Sequence, residues 1–231
     1  MTVPSKQLNR NGTCMIDINL ITESLPLLLQ GLMLTLQLAL AGCVIGLLLG
    51  TIVALIEVYV PKPWSYIATI YVMIIRGTPM LIQILGAYYV LPTIGITIAA
   101  QYVAIIAIGL NSAAYISQII RSGIQSIHSG QVEAAYVLGF SRMQIIRYIV
   151  LPQAFALVIP AMGNELITLV KDSSLASIIG VSELSKQGRL IISRTYDAIT
   201  IFFILAILYL AITTTISLLI NYLEKRVKQP C

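Results

Sequence analysis

Long apolar runs separated by short polar stops set the pattern of this chain. Leu25 to Glu57 carries no charge between its ends, and Ile67 to Leu91 is broken only by Arg76. Ile94 to Ile120 holds no charge at all. Leu151 to Ile179 is interrupted by Glu165, Lys171 and Asp172, and Ile199 to Leu223 is clean. Each run approaches or exceeds the roughly 20 residues that cross a hydrocarbon core as a helix. The pattern predicts an all-α integral membrane protein with five transmembrane helices in one domain, residues 25–226. Residues 1–24 read as a polar, poorly ordered tail and 227–231 as a short second tail. Met15, directly before the segment leading into the first helix, is expected to be the natural start.

Local signals set the expected elements. The first helix spans about Pro26 to Val58, and Gly42, Gly46 and Gly50 fall on one face of it, where a neighbouring helix can approach closely. The second run splits at Arg76-Gly77-Thr78-Pro79, with Thr78 as N-cap and Pro79 at N1 of a fresh helix ending near Leu91-Pro92. Tyr66 to Ile75 then lies at or near the inner interface. The third helix runs from about Thr97 to Arg121. A polar loop over 121–150 follows, containing a short helix from Gln131 to Leu138 that Gly139 terminates in a left-handed conformation. Ser141 caps the helix that re-enters the membrane, with Pro152 and Pro160 as kink points. Ile179 to Tyr196 reads as an outer loop carrying Glu183.

Composition agrees with this picture. Hydrophobic residues make up 58% of 231 residues, charged residues only 10%, and mean hydropathy is +0.93, far oilier than a soluble domain. The net charge of +5 reads as an orientation signal beside apolar helices, with no nucleic-acid partner implied. With the C-terminus inside, Lys62, Arg76, Arg121, Arg142, Arg147, Lys225, Arg226 and Lys228 face Lys6, Arg10, Lys186, Arg189 and Arg194 outside, eight against five. Cys14, Cys43 and Cys231 are too few and scattered for a disulfide framework or metal site.

Two regions carry candidate chemistry. At about 100° per residue, Asn164, Glu165, Thr168, Lys171 and Asp172 occupy about one third of the circumference of the fourth helix. Ionisable residues at membrane depth are costly and face a cavity or a partner. Two carboxylates and an ammonium suit a zwitterion: Glu165 or Asp172 for an α-ammonium, Lys171 for a carboxylate. A structural Lys171–Asp172 pair would use the same residues without a substrate. The second region is the polar loop, where Glu133-Ala134-Ala135, Gly139 and Ile149-x-Leu151-Pro152 recur at fixed distances. A short helix clear of the membrane suits docking into a groove. Ala134 and Ala135 permit close approach there, and Arg142 or Arg121 can pair with Glu133.

Gln131 to Pro152 resembles the coupling loop of binding-protein-dependent ABC importer permeases. Arg76-Gly77-Thr78-Pro79, Ser122 to Ile127, Leu151-Pro152-Gln153-Ala154 and Lys171-Asp172-Ser173-Ser174-Leu175 resemble the polar amino acid branch, and the similarity spans about Leu25 to Arg226. Gln118 stands where that branch commonly has Glu, and Ser122 where Gly or Ala is common. The resemblance implies the type I importer permease fold in the bacterial cytoplasmic membrane, N-terminus outside and C-terminus cytoplasmic. It implies a second permease subunit, a cytoplasmic ABC ATPase dimer and an extracytoplasmic amino-acid-binding protein as partners, with lipid around the helices. Glu133, Ala134, Ala135, Gly139, Leu151 and Pro152 would then be the ATPase-coupling residues.

Enzyme readings fare poorly. His128 is the one histidine, in the polar loop, and no Gly-x-x-x-x-Gly-Lys-Ser/Thr phosphate loop is present. No cofactor is expected, and energy must come from a partner. An ion-coupled secondary carrier, with Glu165 or Asp172 binding the ion, is the alternative, and a membrane scaffold is a third. Neither needs an ATPase-docking loop.

Overall fold

The computed structural model describes residues 16–227. The expectations for Met15, for the rest of 1–15 and for 228–231 lie outside these residues. Nine α-helices follow in order among the described residues: α1 Ile18–Tyr59, α2 Ser65–Gly77, α3 Met80–Thr93, α4 Ala100–Gln125, α5 Ser129–Val137, α6 Arg142–Ile145, α7 Leu151–Asp172, α8 Leu184–Thr195 and α9 Ala198–Val227. A π turn over Ile146–Val150 joins α6 to α7, and a 3-10 helix over Ser173–Ile179 extends α7. α1, α4, the α6–α7 column and α9 are each long and apolar enough to cross a membrane, and α2 with α3 form a fifth, broken span bent by 103°.

α1 starts earlier than Pro26. The Asp17 carboxylate accepts from the Asn19 and Leu20 amides at 2.9 and 3.2 Å, fixing a cap before the polar residues. Ser24 then sits inside the helix by donating its hydroxyl to the Leu20 carbonyl at 2.6 Å. The tail reading of 16–24 fails because polar side chains can bond back to their own turn.

The glycine stripe of α1 does what its spacing implies. A Cβ on Gly42 would stand 2.5 Å from Ile108, one on Gly46 2.6 Å from the Ser112 hydroxyl, and one on Gly50 2.8 Å from the Ala113 carbonyl. Over three turns α4 therefore rests directly on the bare α1 backbone, through the Ile108 and Ser112 side chains at Gly42 and Gly46 and through the Ala113 carbonyl at Gly50, an approach that glycine permits. Leu38, Ala39, Ala104, Ala107 and Ile108 continue this seam into the main core, which Ile84 of α3 and Leu169 and Val170 of α7 complete.

The break between α2 and α3 is chemically sealed. Pro79 has no N–H to give the Ile75 carbonyl four residues back. Gln83 Nε2 replaces that donor at 2.8 Å, and the Thr78 hydroxyl donates to the Ile74 carbonyl at 3.0 Å. Thr78 is thus spent on the end of α2, and Pro79 itself, with extended backbone, is the N-cap of α3. The π turn before Pro152 is the corresponding adjustment in the α6–α7 column, where the Leu151 amide reaches the Ile146 carbonyl.

The segment read as an outer loop is mostly structured. Glu183 is fully buried and caps α8, accepting from the Ser185 and Lys186 amides at 2.9 and 2.8 Å. Tyr209 of α9 donates to the same carboxylate at 3.1 Å and Thr35 of α1 at 3.4 Å. A cap that also gathers two neighbouring helices belongs in the packed interior.

Candidate functional site

A cavity of about 450 Å³ opens at the broken span. The backbone from Arg76 to Met80 forms one wall, Asn111 and Tyr115 of α4 a second, and Glu165, Thr168, Leu169 and Asp172 of α7 a third. The break explains why polar groups collect there: an interrupted helix needs side-chain donors, and apolar chain cannot provide them. Gln83 bridges the break to α4, accepting from Asn111 Nδ2 at 3.0 Å. The Arg76 guanidinium lies over the Tyr115 ring, 5.2 Å from its centre. Ser112 donates to Glu165 at 3.0 Å, which orients one carboxylate oxygen.

Three of the five residues expected on the polar face of α7 line this cavity: Glu165, Thr168 and Asp172. Asn164 and Lys171 are exposed and lie outside the lining. The polar arc spans about a third of the helix, wider than the cavity, and these two fall together on its far edge. The cation opposite the two acids is therefore Arg76, and Lys171 has no place in the lining. Arg76, Asn111 and Tyr115 were missed by sequence reasoning. The one signal was a lone arginine within an apolar run, beside a Gly-Thr-Pro break.

The polar loop forms a compact projection. α5 ends in a Schellman motif: Gly139, at φ +81, gives its amide to the Tyr136 carbonyl at 3.0 Å, and Phe140 gives its amide to Ala135 at 3.0 Å. Ser141 and Gln144 then make a reciprocal capping box that starts α6. Glu133 and Ala134 face outward, whereas Ala135 is buried against Ile145 and Val150. Close approach at Ala135 thus serves the loop's own small core. Leu151 and Pro152 are exposed at the start of α7, and Gln153 there donates to Gln131 of α5 at 2.7 Å.

The expected partners of Glu133 are engaged elsewhere. Arg121 pairs with Glu57 at 3.2 Å, and Arg142 lies over the Tyr59 ring at 5.5 Å. Gln118 donates to the other Glu57 oxygen at 2.6 Å. An amide at 118 therefore matches the carboxylate at 57, where a second acid would collide with it.

What this arrangement can do is limited and clear. The cavity holds opposite charges at the depth of a broken membrane span, and the loop offers a rigid, largely exposed helix end. Among the described residues no group of three or more His, Cys, Asp or Glu side chains is placed to hold a metal ion.

Residues 46–229 match the family described as the binding-protein-dependent transport system inner membrane component. The glutamine transport system permease protein GlnP of Escherichia coli K12 is 36% identical, over 92% of this chain and 98% of its own length. The arginine transport system permease protein ArtQ of Bacillus subtilis 168 is 34% identical over 92% and 98%. A solved amino acid ABC transporter with histidines superposes with a TM-score of 0.87 at 38% identity, covering 92% of this chain and 100% of that one. These matches set aside the ion-coupled carrier that the acids of α7 had left open. With the type I permease fold and near-complete coverage together, the chain belongs to the inner membrane components of binding-protein-dependent transport systems, as a multi-pass permease for a polar amino acid.

Proposed function

We propose that the cavity at the α2–α3 break is the substrate's station during import by alternating access. The carrying observation is the apposition of Arg76 with Glu165 and Asp172 around one space. An α-carboxylate pairs with Arg76, whose planar fork suits it, and an α-ammonium pairs with Glu165 or Asp172. Thr168 and Asn111 add neutral hydrogen bonds. Sites at broken membrane helices commonly hold substrates in this way.

The projection formed by α5 and α6 is where a separate cytoplasmic ATPase grips the chain, through the exposed Glu133, Ala134, Tyr136, Leu138 and Gly139 surface. Leu151 and Pro152 stand at the root of α7, which carries the motion toward Glu165. The C-terminus is then cytoplasmic and the N-terminus outside. Two ATPase subunits, a second permease (a copy or a homologue) and an external amino-acid-binding protein complete the machine, with lipid covering the remaining apolar faces.

Glu165→Gln tests the station. With assembly and ATPase binding intact, uptake into proteoliposomes should fall about tenfold or more, the scale of one charge-assisted hydrogen bond. Unaltered uptake removes Glu165 from the path.

A further inference from the structure

Arg76 stands in the cavity without a carboxylate of its own. It forms no ion pair among the described residues, and its guanidinium rests on the Tyr115 ring. A guanidinium on a flexible stem meets a cargo carboxylate squarely only if the backbone beneath it is fixed. Packing does not fix it here. A Cβ on Gly77, the next residue, would meet nothing within 4 Å, and Arg76 to Pro79 are all exposed.

Hydrogen bonds hold it instead. Tyr71 fastens the middle of α2 by donating to the Leu110 carbonyl of α4 at 2.6 Å. The end of α2 depends on Gln83, a half-buried residue of α3 that lies outside the cavity lining. Besides the Ile75 carbonyl, its amide nitrogen reaches the Thr78 hydroxyl at 2.8 Å and the Thr78 carbonyl at 3.2 Å. Its oxygen is taken by Asn111, which is buried on α4 one turn before Tyr115. One side chain thus joins the residue before Arg76, the turn after it and the helix whose ring supports the guanidinium.

We infer that Gln83 is the positioning residue for Arg76: from behind the cavity wall it holds the α2–α3 corner at the angle that aims the guanidinium at the cargo carboxylate. The inference rests on the cavity being the substrate station. The rival account is that Gln83 only satisfies a carbonyl that Pro79 leaves bare, a need that exists at membrane depth whatever the cavity does. The two accounts part at Pro79. An alanine there restores an N–H for the Ile75 carbonyl and removes the chain's reason to bend. If satisfaction were the whole task, Pro79→Ala would rescue a Gln83 variant. If the corner is the task, it would not.

The test uses the complete complex, ATPase and binding protein included, in proteoliposomes that take up a radiolabelled mixture of the common amino acids. Gln83→Leu, close in size but without polar atoms, should lower uptake about tenfold with the ATPase still co-purifying, the scale of one charge-assisted hydrogen bond. Gln83→Asn, whose shorter amide cannot span Ile75 and Asn111 together, should act in the same direction and serves where the leucine prevents assembly. In an Arg76→Gln background either change should lower uptake by less than about twofold further, because residues acting through one group are not additive. Adding Pro79→Ala to Gln83→Leu should leave uptake low. Full additivity with Arg76→Gln overturns the inference, and so does rescue by Pro79→Ala or unchanged uptake in both Gln83 variants. Arg76→Gln alone separates this inference from the reading beneath it. Unaltered uptake there would remove Arg76 from the substrate station, and the positioning role would fall with it.

Discussion

Two carboxylates tie the two ends of this bundle, and they are balanced in different ways. Glu57, toward the end that bears the α5–α6 projection, has a side chain 2% exposed and meets a cation, Arg121, that is itself 36% exposed. Gln118 and Thr69 complete its shell at 2.6 and 3.3 Å. Glu183, at the α8 end, touches no cation. Two backbone amides, a phenol and a hydroxyl satisfy it, and the start of α8 supplies partial positive charge. One end is held by a buried carboxylate whose paired cation reaches water, the other by a buried hydrogen-bond shell without a cation in contact. At the Glu57 knot Arg121 can exchange its partner for water, whereas the Glu183 knot has no solvent to fall back on.

The comparison is broken most directly by truncating each acid. Glu183→Ala strands four donors in the interior and should cost about 3 kcal/mol or more. Glu57→Ala leaves partners that water can reach and should cost about 1–2 kcal/mol. Thermal unfolding of the purified assembly in detergent gives the order, and an equal or greater loss for Glu57→Ala would reverse it.

Acidity separates the ends next. Burial pushes the Glu183 carboxyl above its ordinary range, and the Ser185 and Lys186 amides, Tyr209 and the charge of Arg189 recover only part of that. A folded pKa above the unfolded one means the native state holds the extra proton, so this group's stabilisation is complete below the unfolded value and is lost as pH rises through the folded one. The stability of the parent protein relative to Glu183→Gln should therefore decline from pH 4 upward. A flat difference, or one that grows with pH, contradicts the buried-shell account.

A smaller effect sharpens the other end. Gln118→Glu sets two acids where 2.6 Å now separates amide and carboxylate, and it should destabilise by about 1–2 kcal/mol, softened by Arg121. Adding Glu57→Gln should restore most of that loss, and a double-mutant cycle reads the coupling. The smallest expected effect is Gly139→Ala, about 1 kcal/mol for placing a Cβ at φ +81. Its clearer readout is weaker co-purification of the ATPase.

The elements were largely legible from sequence because their signals are local. Gly139 and Ser141 announced a helix end and a helix start, the glycine stripe announced a close neighbour, and Arg76-Gly77-Thr78-Pro79 announced a break. Glu183 was not legible: an acid between two apolar segments looks solvated until the helices that enclose it are in place. Lys171 misled for a related reason. A helical wheel gives the breadth of a polar face but not which part of it another element covers. Arg76 could be placed in the site only once the bend of α2 against α3 brought it opposite α7.

The glycine seam between α1 and α4 has a mechanical consequence. Side chains of α4 seated directly on the α1 backbone, with Ile45 of α1 returned onto Gly109, leave the two helices little slack to slide or tilt against each other, so they behave as a single lever. α4 carries Asn111 and Tyr115 in the cavity and continues past Arg121 toward the α5–α6 projection. On the proposed coupling role of α5, a push delivered there would arrive at the cavity wall as rigid displacement, and the joints that open would be those with α7 and α9. Widening the lever's seam, with alanine at Gly46, should uncouple the two ends before it unfolds either.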